Sequence, residues 1–409
     1  MKTTGFVGVG LFSLMKSVGL LALAVSWGCE AIAVGDADSD DAGDGQSGWA
    51  DTGFTTADGV VYPGVDWPVA DPAEVGLDPD ALDAAAALAE ENDSHCLVVT
   101  KGGKLVREWY FDDWDETTAV NVYSVTKSVT GLAIGVAVTQ GYLDIEEAAS
   151  AYVSAWQGTG SEEVLIKHLM SNTSGRAWDF TQDNVGLALA IDVTDFALGL
   201  GQAAPPGTVW VYSNSAVQTL DGVLAEALGE SVADFAEAAL FEPIGASSAY
   251  RQDSQDNTLL YSELSASCRD LARFGYLVLR DGKWGNDQLI DSAFLDAATS
   301  PSSTLNSAYG YLWWLNRDGH WVASANTAGT PPEEGDGKML PNVPEHIILA
   351  RGFQNQMILV DKENDLVFSR IGGEPDPATA IFTGVDPADD ALVGLLAEQV
   401  LSAIVEAGE

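Results

Sequence analysis

The chain has 409 residues, of which 46% are hydrophobic, so it is long enough to bury one large core or two lobes. Its formal net charge of −43 comes from 61 acidic against 18 basic residues. This charge argues against a nucleic-acid partner and against electrostatic docking on anionic lipid. After the N-terminal leader, no run of eighteen apolar residues predicts a membrane-spanning helix.

Residues 1–28 have the pattern of a secretory signal peptide, with Lys16 before a short apolar stretch that ends at Trp27. Because the segment before this stretch is long, Met15 is an alternative start. Cys29 directly follows a small residue, Gly28, at the end of this stretch, which resembles a bacterial lipoprotein signal. We therefore expect an exported protein of the cell envelope or cell surface, lipid-anchored through Cys29. The alternative is an ordinary signal peptide with a chance cysteine.

Residues 29–70 are predicted to form a flexible acidic tether, because residues 34–59 are rich in Gly, Asp, Ser and Ala. The folded domain is then expected at 71–409. Cys96 and Cys268 could pair in an exported protein or remain buried free thiols, and the sequence leaves both readings open. The four histidines are isolated, and no Cys/His cluster has metal-ligand spacing, so we expect no metal.

The domain begins with a helix predicted over 78–92 and two strands over 96–100 and 105–111, joined by a hairpin turn. A buried helix follows from Ser124 to Gly141. Further helices are predicted over 147–156, 161–171, 184–198, 214–228, 232–241 and 268–279. Strands over 309–315, 347–351, 357–361 and 366–371 precede a last helix over 391–406. This order predicts an α/β (α+β) fold, with a sheet from both chain ends and an inserted helical lobe at about 124–290.

Ser124 and Lys127 are three residues apart at the start of the buried helix, so their side chains share one face. A serine hydroxyl needs an adjacent base to attack. Burial and the positive end of the helix dipole both lower a lysine's pKa, so a neutral Lys127 could accept the proton of Ser124. The motif is short, and a second copy stands in the leader at residues 13–16. The alternative is an ordinary buried helix start.

A second candidate site is Tyr212-Ser213-Asn214, at a predicted loop-to-helix junction. The Tyr212 hydroxyl could relay a proton between serine, lysine and a leaving group. The alternative is a packed tyrosine beside Asn214 as a helix N-cap. His168, within a predicted helix, is more typical of a packing or hydrogen-bonding residue than of a catalytic one.

Ser124-x-x-Lys127 followed by Tyr212-x-Asn214 resembles the serine hydrolases related to class C β-lactamases. That group includes D-alanyl-D-alanine carboxypeptidases, esterases and nylon-oligomer hydrolases. The resemblance implies a β-lactamase/transpeptidase-like fold, with a five-stranded antiparallel sheet flanked by helices beside a helical lobe. It also implies an acyl-enzyme formed without a metal or organic cofactor, in which Ser124 is the nucleophile and Lys127 and Tyr212 share the acid and base roles. Asn214 would orient Lys127 and the substrate.

The third family motif, Lys-Thr-Gly or a variant, is matched by Ala350-Arg351-Gly352. Gly352 would let the substrate approach the strand, and the N–H of Phe353 would join that of Ser124 as an oxyanion hole. Asn355 stands where the esterase and nylon-hydrolase branch has a glycine. If position 350 faces the cleft, Arg351 points away from it, because neighbouring strand residues alternate.

We therefore expect a serine hydrolase that cleaves small ester or amide substrates through an acyl-Ser124 intermediate. No lysine stands at position 350 to bind the carboxylate of a β-lactam, which favours esterase or amidase activity. The alternatives are a β-lactamase or D-alanyl-D-alanine carboxypeptidase, and a tethered binding protein with the same cleft. We expect no nucleic-acid partner, and membrane contact only through the N-terminal lipid.

Overall fold

A computed structural model describes residues 52–325, 329–373 and 390–405. The strands of these residues, numbered in chain order, are β1 (Phe54–Thr55), β2 (Val61–Tyr62), β3 (Ser94–Lys101), β4 (Lys104–Tyr110), β5 (Val120–Asn121), β6 (Ala249–Tyr250), β7 (Leu264–Ala266), β8 (Lys283–Trp284), β9 (Asp287–Gln288), β10 (Trp314–Leu315), β11 (His320–Val322), β12 (Glu334–Asp336), β13 (Ile348–Gly352), β14 (Gln356–Asp361) and β15 (Leu366–Gly372). The helices are α1 (Pro79–Glu91), α2 (Val125–Thr139), α3 (Ile166–Met170), α4 (Val193–Gly199), α5 (Asn214–Leu228), α6 (Val232–Ala236), α7 (Glu242–Ile244), α8 (Cys268–Leu279), α9 (Ser292–Ala298) and α10 (Asp390–Leu401). In these three stretches, no helix is long and apolar enough to cross a bilayer.

The main sheet has the strand order β10-β13-β14-β15-β3-β4, with every neighbouring pair antiparallel. The β3–β4 hairpin precedes the helical part of the chain and β13–β15 follow it, so both chain ends build the sheet, as predicted. The family resemblance implied five strands, and the structure adds the two-residue edge strand β10. Every residue of β14 and β15 is buried, because helices cover both faces of the sheet.

Alternate side chains of the sheet enter two separate cores. Leu97, Val99 and Phe368 pack with α1 and α10 on one face. On the other face, Val98 and Val367 share a larger core with α8, α2 and the helical lobe. The period of two along each strand thus divides the domain into layers, and the mixed α/β, antiparallel architecture predicted from the sequence is confirmed.

Helix α2 is the central element of the larger core, since its first thirteen residues are all buried. A methyl group on Gly135 would lie 2.7 Å from Ile290 and Phe294, so the glycine permits close packing with α9. This packing holds the first turn of α2 at a fixed position between the helical lobe and β13.

Several predicted elements are shorter in the structure. The predicted helices over 147–156 and 161–171 are two 3₁₀ turns and the five-residue α3. The helix predicted over 184–198 is a π turn at Gln182–Gly186 followed by α4. The strand predicted over 309–315 is only β10, because Leu312 adopts φ +64° and Gly310 closes a turn with Trp313. Side-chain bonds such as Ser150 Oγ to Glu162 O replace helical ones in these segments.

The predicted tether boundary at residue 70 is corrected by the structure. Residues 52–70 pack on the domain: β1 pairs with β2, and Tyr62 and Trp67 are buried. Arg273 of α8 donates to the carbonyl oxygens of Gly64 and Val65, each at 2.8 Å. Tyr62 and Trp67 were assigned to the tether because they closely follow the Gly/Asp-rich stretch at 34–59, and their burial was not predicted. The predicted signal peptide, Cys29 and the tether up to residue 51 lie outside the described residues.

Cys96 of β3 and Cys268 at the start of α8 form a disulfide, with Cα atoms 6.4 Å apart. The sequence left this pairing open, since 172 positions separate the two cysteines. Both residues lie in the larger core, and Ser369 Oγ donates to the carbonyl of Cys268 at 2.7 Å. The bond therefore ties α8 to the sheet that it covers.

We expect the double variant Cys96→Ala/Cys268→Ala to unfold at a lower temperature than the parent. Closing so long a loop restricts the unfolded chain, which is worth up to about 5 kcal/mol in the chain-entropy model. Thermal unfolding of the tetherless domain, which is the chain from residue 52 onward, measures the difference when it is followed by circular dichroism. The parent under strong reductant is the matched control and should approach the variant. Equal melting temperatures of oxidised parent and variant would contradict the structure.

Candidate active site

Ser124 occupies the N-cap position of α2 and is half-buried. The residue before it, Tyr123, adopts φ +48°, a conformation that side chains other than glycine rarely take. The N–H of Tyr123 donates to Asn121 Oδ1 at 2.8 Å, which stabilises this bend. Ser124 therefore stands on a sharp turn between β5 and a rigid buried helix.

Lys127 is almost completely buried one helical turn further on, with 1% of its surface exposed. Its Nζ lies within hydrogen-bonding distance of three oxygens: Ser124 Oγ at 2.9 Å, Asn214 Oδ1 at 2.7 Å and the Tyr261 carbonyl at 2.6 Å. The structure thus brings together the serine, the lysine and the asparagine that the sequence singled out. Sequence reasoning missed the Tyr261 carbonyl, because a backbone acceptor leaves no residue-type signal.

Burial lowers the pKa of Lys127 to about 7, against a smaller opposing effect of the Asp183 charge. A neutral amine has two N–H donors and one lone pair. The Asn214 and Tyr261 oxygens can only accept, so they take the two donors and leave the lone pair to Ser124 Oγ–H. The arrangement can therefore activate the serine hydroxyl near neutral pH.

Asn214 is the first residue of α5, and the N-cap of that helix is Ser213, whose Oγ accepts from the N–H of Ala216 at 3.1 Å. The N-cap alternative for Asn214 is therefore wrong. Its Nδ2 donates to Asn184 Oδ1 at 3.1 Å, so its amide oxygen is left to face Lys127.

The ring of Tyr212 lies beside Lys127, with Nζ 4.9 Å from the ring centroid. Trp314 stacks on this ring at 5.5 Å, and Tyr309 meets it edge-on at 6.1 Å. The backbone around Tyr212 is held by Asn172, which accepts from Val211 N at 3.0 Å and, through Oδ1, from Ser213 N at 3.1 Å.

Asn172 holds the backbone on both sides of Tyr212, and sequence reasoning did not single it out. It adopts φ +58° within Ser171-Asn172-Thr173-Ser174-Gly175. Asparagine tolerates this conformation and forms backbone-like hydrogen bonds, so an Asn in such a turn sequence was the available signal.

Asp183 is a second residue that sequence reasoning missed. Its buried carboxylate accepts from Asn214 N at 2.8 Å, Ser215 N at 2.9 Å and Ser213 Oγ at 3.0 Å. Nothing in the local sequence distinguishes it from the many other acidic residues, since its partners lie about thirty positions away.

Gly352 ends β13 directly against the start of α2. A methyl group on it would lie 2.6 Å from Val122 O and 3.1 Å from Val125 N. Phe353 follows, and its ring meets that of Tyr123 at 5.5 Å. The two N–H groups predicted to form an oxyanion hole, those of Ser124 and Phe353, therefore belong to adjacent backbone segments.

The loop after Gly352 is held by positive backbone φ angles and by a buried arginine, although Asn355 stands where a glycine was expected. Asn355 adopts φ +58°, the left-handed conformation that asparagine accepts more readily than most residues. Buried Arg370 donates to the carbonyl oxygens of Gln354 at 2.7 Å and Asn355 at 2.9 Å.

Arg351 was expected to point away from the site only if position 350 faces the cleft, and that condition is not met. Ala350 is fully buried in the larger core and lines no open cleft. The register pairs Trp314 with Leu349, so positions 349 and 351 share the face of Trp314. The guanidinium of Arg351 lies 5.5 Å from the Trp314 ring, which in turn stacks on Tyr212.

The structure provides no grouping of side chains for a metal: among the described residues, no three His, Cys, Asp or Glu side chains cluster as ligands. His168 accepts from the N–H of Leu165 through Nδ1 at 3.1 Å, and burial lowers its pKa. It closes the first turn of its own helix, in line with the predicted hydrogen-bonding role.

We expect a fluorophosphonate probe to phosphonylate Ser124 Oγ, with loss of fluoride, at a rate that rises with pH through about 7 and then levels, because only neutral Lys127 can accept the proton. Lys127→Ala should slow labelling by roughly 10²–10⁴-fold and remove this pH dependence. Intact-mass measurements over time give the rates. Lys362→Ala, a surface lysine paired with Asp281, is the matched control. Near-normal labelling of Lys127→Ala would refute the proposed base.

We expect Gly352→Ala to slow the labelling of Ser124 by the fluorophosphonate probe, followed by intact mass, by tenfold or more. The new methyl group must push β13 away from the chain on both sides of Ser124, which separates the two oxyanion-hole donors. Gly199→Ala is the matched control, since a methyl group there meets nothing within 4 Å. An unchanged labelling rate in Gly352→Ala would show that the close approach of β13 to the start of α2 does not affect the reactivity of Ser124.

Comparison with known proteins places this geometry in a family. The family model described as Beta-lactamase matches residues 83–375. A penicillin-binding protein of Bacillus subtilis (strain 168) is 27% identical over 233 residues, which are 47% of this chain and 51% of that protein. The match thus spans between 51% and 61% of the length of the two curated relatives found.

Solved structures share the fold. A Bacillus anthracis protein described as a 6-aminohexanoate-dimer hydrolase has a TM-score of 0.60 and 19% identity, over 78% of this chain and 82% of that one. EstCE1, a hydrolase with promiscuous acyltransferase activity, has a TM-score of 0.58 and 14% identity, over 80% and 98% of the two chains. At such identities the likeness shows the fold alone. The family model, however, covers well over half of the sequence, and the chain therefore belongs to the Beta-lactamase family, within the serine hydrolase superfamily that its motifs indicated.

Proposed function

We propose that the protein cleaves ester or amide bonds of small molecules through an acyl-Ser124 intermediate. The observation that carries this proposal is the buried Lys127 Nζ, 2.9 Å from Ser124 Oγ and held by two further oxygens. Membership of a family of hydrolases supports it. A binding protein that had lost turnover would have no need to keep a lysine buried beside a serine, since the burial of a charge is costly.

In the first step, Ser124 Oγ bonds to the acyl carbon while its proton passes to Lys127 Nζ. The carbonyl π electrons move to the oxygen, where the N–H groups of Ser124 and Phe353 would stabilise the negative charge by roughly 3–4 kcal/mol each. When the carbonyl re-forms, the bond to the leaving alcohol or amine breaks. The leaving group takes the proton from Lys127, with Tyr212 as the relay beside it.

In the second step, water attacks the acyl carbon of the ester on Ser124. Lys127 and Tyr212 take the proton of the water, and Ser124 Oγ leaves and is reprotonated. The same groups thus act as base and then as acid in each half-reaction. Every proton is returned, so no cofactor is consumed.

Esters and small linear amides fit the site better than β-lactams with a ring carboxylate. Ala350, which stands where the family lysine would bind that carboxylate, is fully buried. The net charge of −43 gives anions no long-range attraction.

β-Lactam hydrolysis is the second candidate function, and the position of Arg351 favours it. This cation lies on the Trp314 ring that stacks on Tyr212, so a positive charge stands one aromatic ring from the site. D-Alanyl-D-alanine carboxypeptidase activity would use the same charge, since its substrates also end in a carboxylate.

We expect kcat/KM for p-nitrophenyl butyrate to exceed that for a chromogenic cephalosporin on the same preparation of the tetherless domain. A lost charged hydrogen bond to the carboxylate is worth roughly 1.5–3 kcal/mol, or about ten- to a hundredfold in rate. Ser124→Ala should abolish both activities.

Arg351→Ala separates the two candidates. If the protein is an esterase, Arg351→Ala should leave kcat/KM for p-nitrophenyl butyrate within about twofold of the parent value. The parent then hydrolyses the cephalosporin only weakly, so the substitution has little cephalosporin activity to remove. A cephalosporin value well above the ester value, lost in Arg351→Ala, would make β-lactamase the function of this protein.

A further inference from the structure

Asp183 lies in the π turn Gln182–Gly186 and faces the first turn of α5 with only 2% of its surface exposed. Oδ2 accepts from Asn214 N at 2.8 Å. Oδ1 accepts from Ser215 N at 2.9 Å, Ser213 Oγ at 3.0 Å and Ser215 Oγ at 2.5 Å. A carboxylate can only accept, and here two backbone N–H groups and two hydroxyls converge on one buried anion at the positive end of a fifteen-residue helix.

These bonds fix the residues on both sides of Asn214. The Asn214 side chain then reaches Lys127 Nζ through Oδ1 at 2.7 Å, while its Nδ2 donates to Asn184 Oδ1, next to Asp183, at 3.1 Å. Both the backbone and the amide orientation of Asn214 are therefore set from residues 183 and 184. Tyr212 precedes the same clamped turn and shares its backbone support.

We propose that Asp183 is a positioning residue for the reaction, which clamps the Ser213–Ser215 turn so that Asn214 holds Lys127 against Ser124. The inference rests on the function proposed for Ser124 and Lys127. Asp183 also places a negative charge near Lys127, in addition to holding the Ser213–Ser215 turn in position.

That charge favours the ammonium form of Lys127 and partly offsets the effect of burial on its pKa. The other titratable groups around the lysine are Tyr212, with its ring 4.9 Å away, and Tyr261, with its ring 5.9 Å away. Behind Tyr261, Glu263 pairs with Arg251 at 3.1 Å. Burial is the first cause that raises the pKa of both Tyr261 and Glu263, so neither loses its proton more readily than usual.

Asp183→Asn tests the proposal. The amide nitrogen cannot accept, so either Asn214 N–H or Ser215 N–H loses its partner and the turn loosens; kcat/KM at the optimum should fall tenfold or more. Loss of the negative charge lowers the pKa of Lys127. The acid limb of the rate profile should therefore move to lower pH, by roughly half a unit or more. The readouts are kcat/KM for p-nitrophenyl butyrate and the fluorophosphonate labelling rate of Ser124, each from pH 5 to 9.

Asp192→Asn is the matched control, because Asp192 is another carboxylate of the same lobe at the start of a helix, where it N-caps α4 and accepts from Asp195 N at 2.8 Å. It should lower the melting temperature slightly and leave the acid limb where it is. Ser215→Ala is the second variant, which removes one hydroxyl donor to Asp183 and keeps the charge. It should lower kcat/KM severalfold without a downward shift of the acid limb, and it keeps the test decisive if Asp183→Asn does not fold.

Two results would overturn the proposal: an acid limb in Asp183→Asn that does not move relative to Asp192→Asn, or parental kcat/KM in Ser215→Ala. Failure of the proposed function looks different. In that case the parent itself is not labelled at Ser124 and turns over no ester, whatever residue stands at position 183.

Discussion

The burial of Lys127 is the constraint on which the rest of the site depends. An amine that is 1% exposed needs a hydrogen-bond partner for each donor, and its partners come from three separate parts of the chain. Ser124 is supplied by the same helix, but Asn214 is 87 residues away and the Tyr261 carbonyl 134. The helical lobe must therefore fold completely before the lysine can be both buried and satisfied. The low dielectric that this creates is also what brings its pKa toward neutrality.

Around this lysine, the groups that touch it are themselves held by residues that do not. Asn172 fixes the backbone of Tyr212 from one side, and Asp183 fixes Ser213–Ser215 from the other. Both use a side-chain oxygen to accept backbone N–H groups, which is more rigid than packing alone because direction as well as distance is specified. The turn at 171–175 and the π turn at 182–186 thus fix the backbone of the residues around Lys127 through directed hydrogen bonds. The disulfide adds a covalent tie between α8 and β3.

Strand pairing at the edge of the sheet decides which side chain lies beside the aromatic cluster of Tyr212. The pairing of Trp314 with Leu349 puts Arg351 on the aromatic cluster of Tyr212 and sends Ala350 into the core. A slip of one residue in this register would exchange the two positions and place a methyl group where the cation now lies. Helix α2 therefore sets the position of Ser124, whereas strand pairing sets the position of the Arg351 charge.

Local patterns in the sequence determined the features that need only neighbouring residues. The spacing of Ser124 and Lys127 on one helical face, the β3–β4 hairpin and the order of helices and strands are such patterns, and they led to the α/β fold class and to the Ser124–Lys127 pair. The expected roles of Asn214, Gly352 and Phe353 came instead from the family resemblance of the ordered motifs. Tertiary structure decided what depends on partners distant in the chain. Residues 52–70 pack because Tyr62 and Trp67 find a core that their polar surroundings do not reveal. The clamp at Asp183, the side of the strand on which Arg351 lies, and the pairing of Cys96 with Cys268 are likewise set by contacts between distant segments. Such contacts form only when the whole core closes, and no local propensity encodes them.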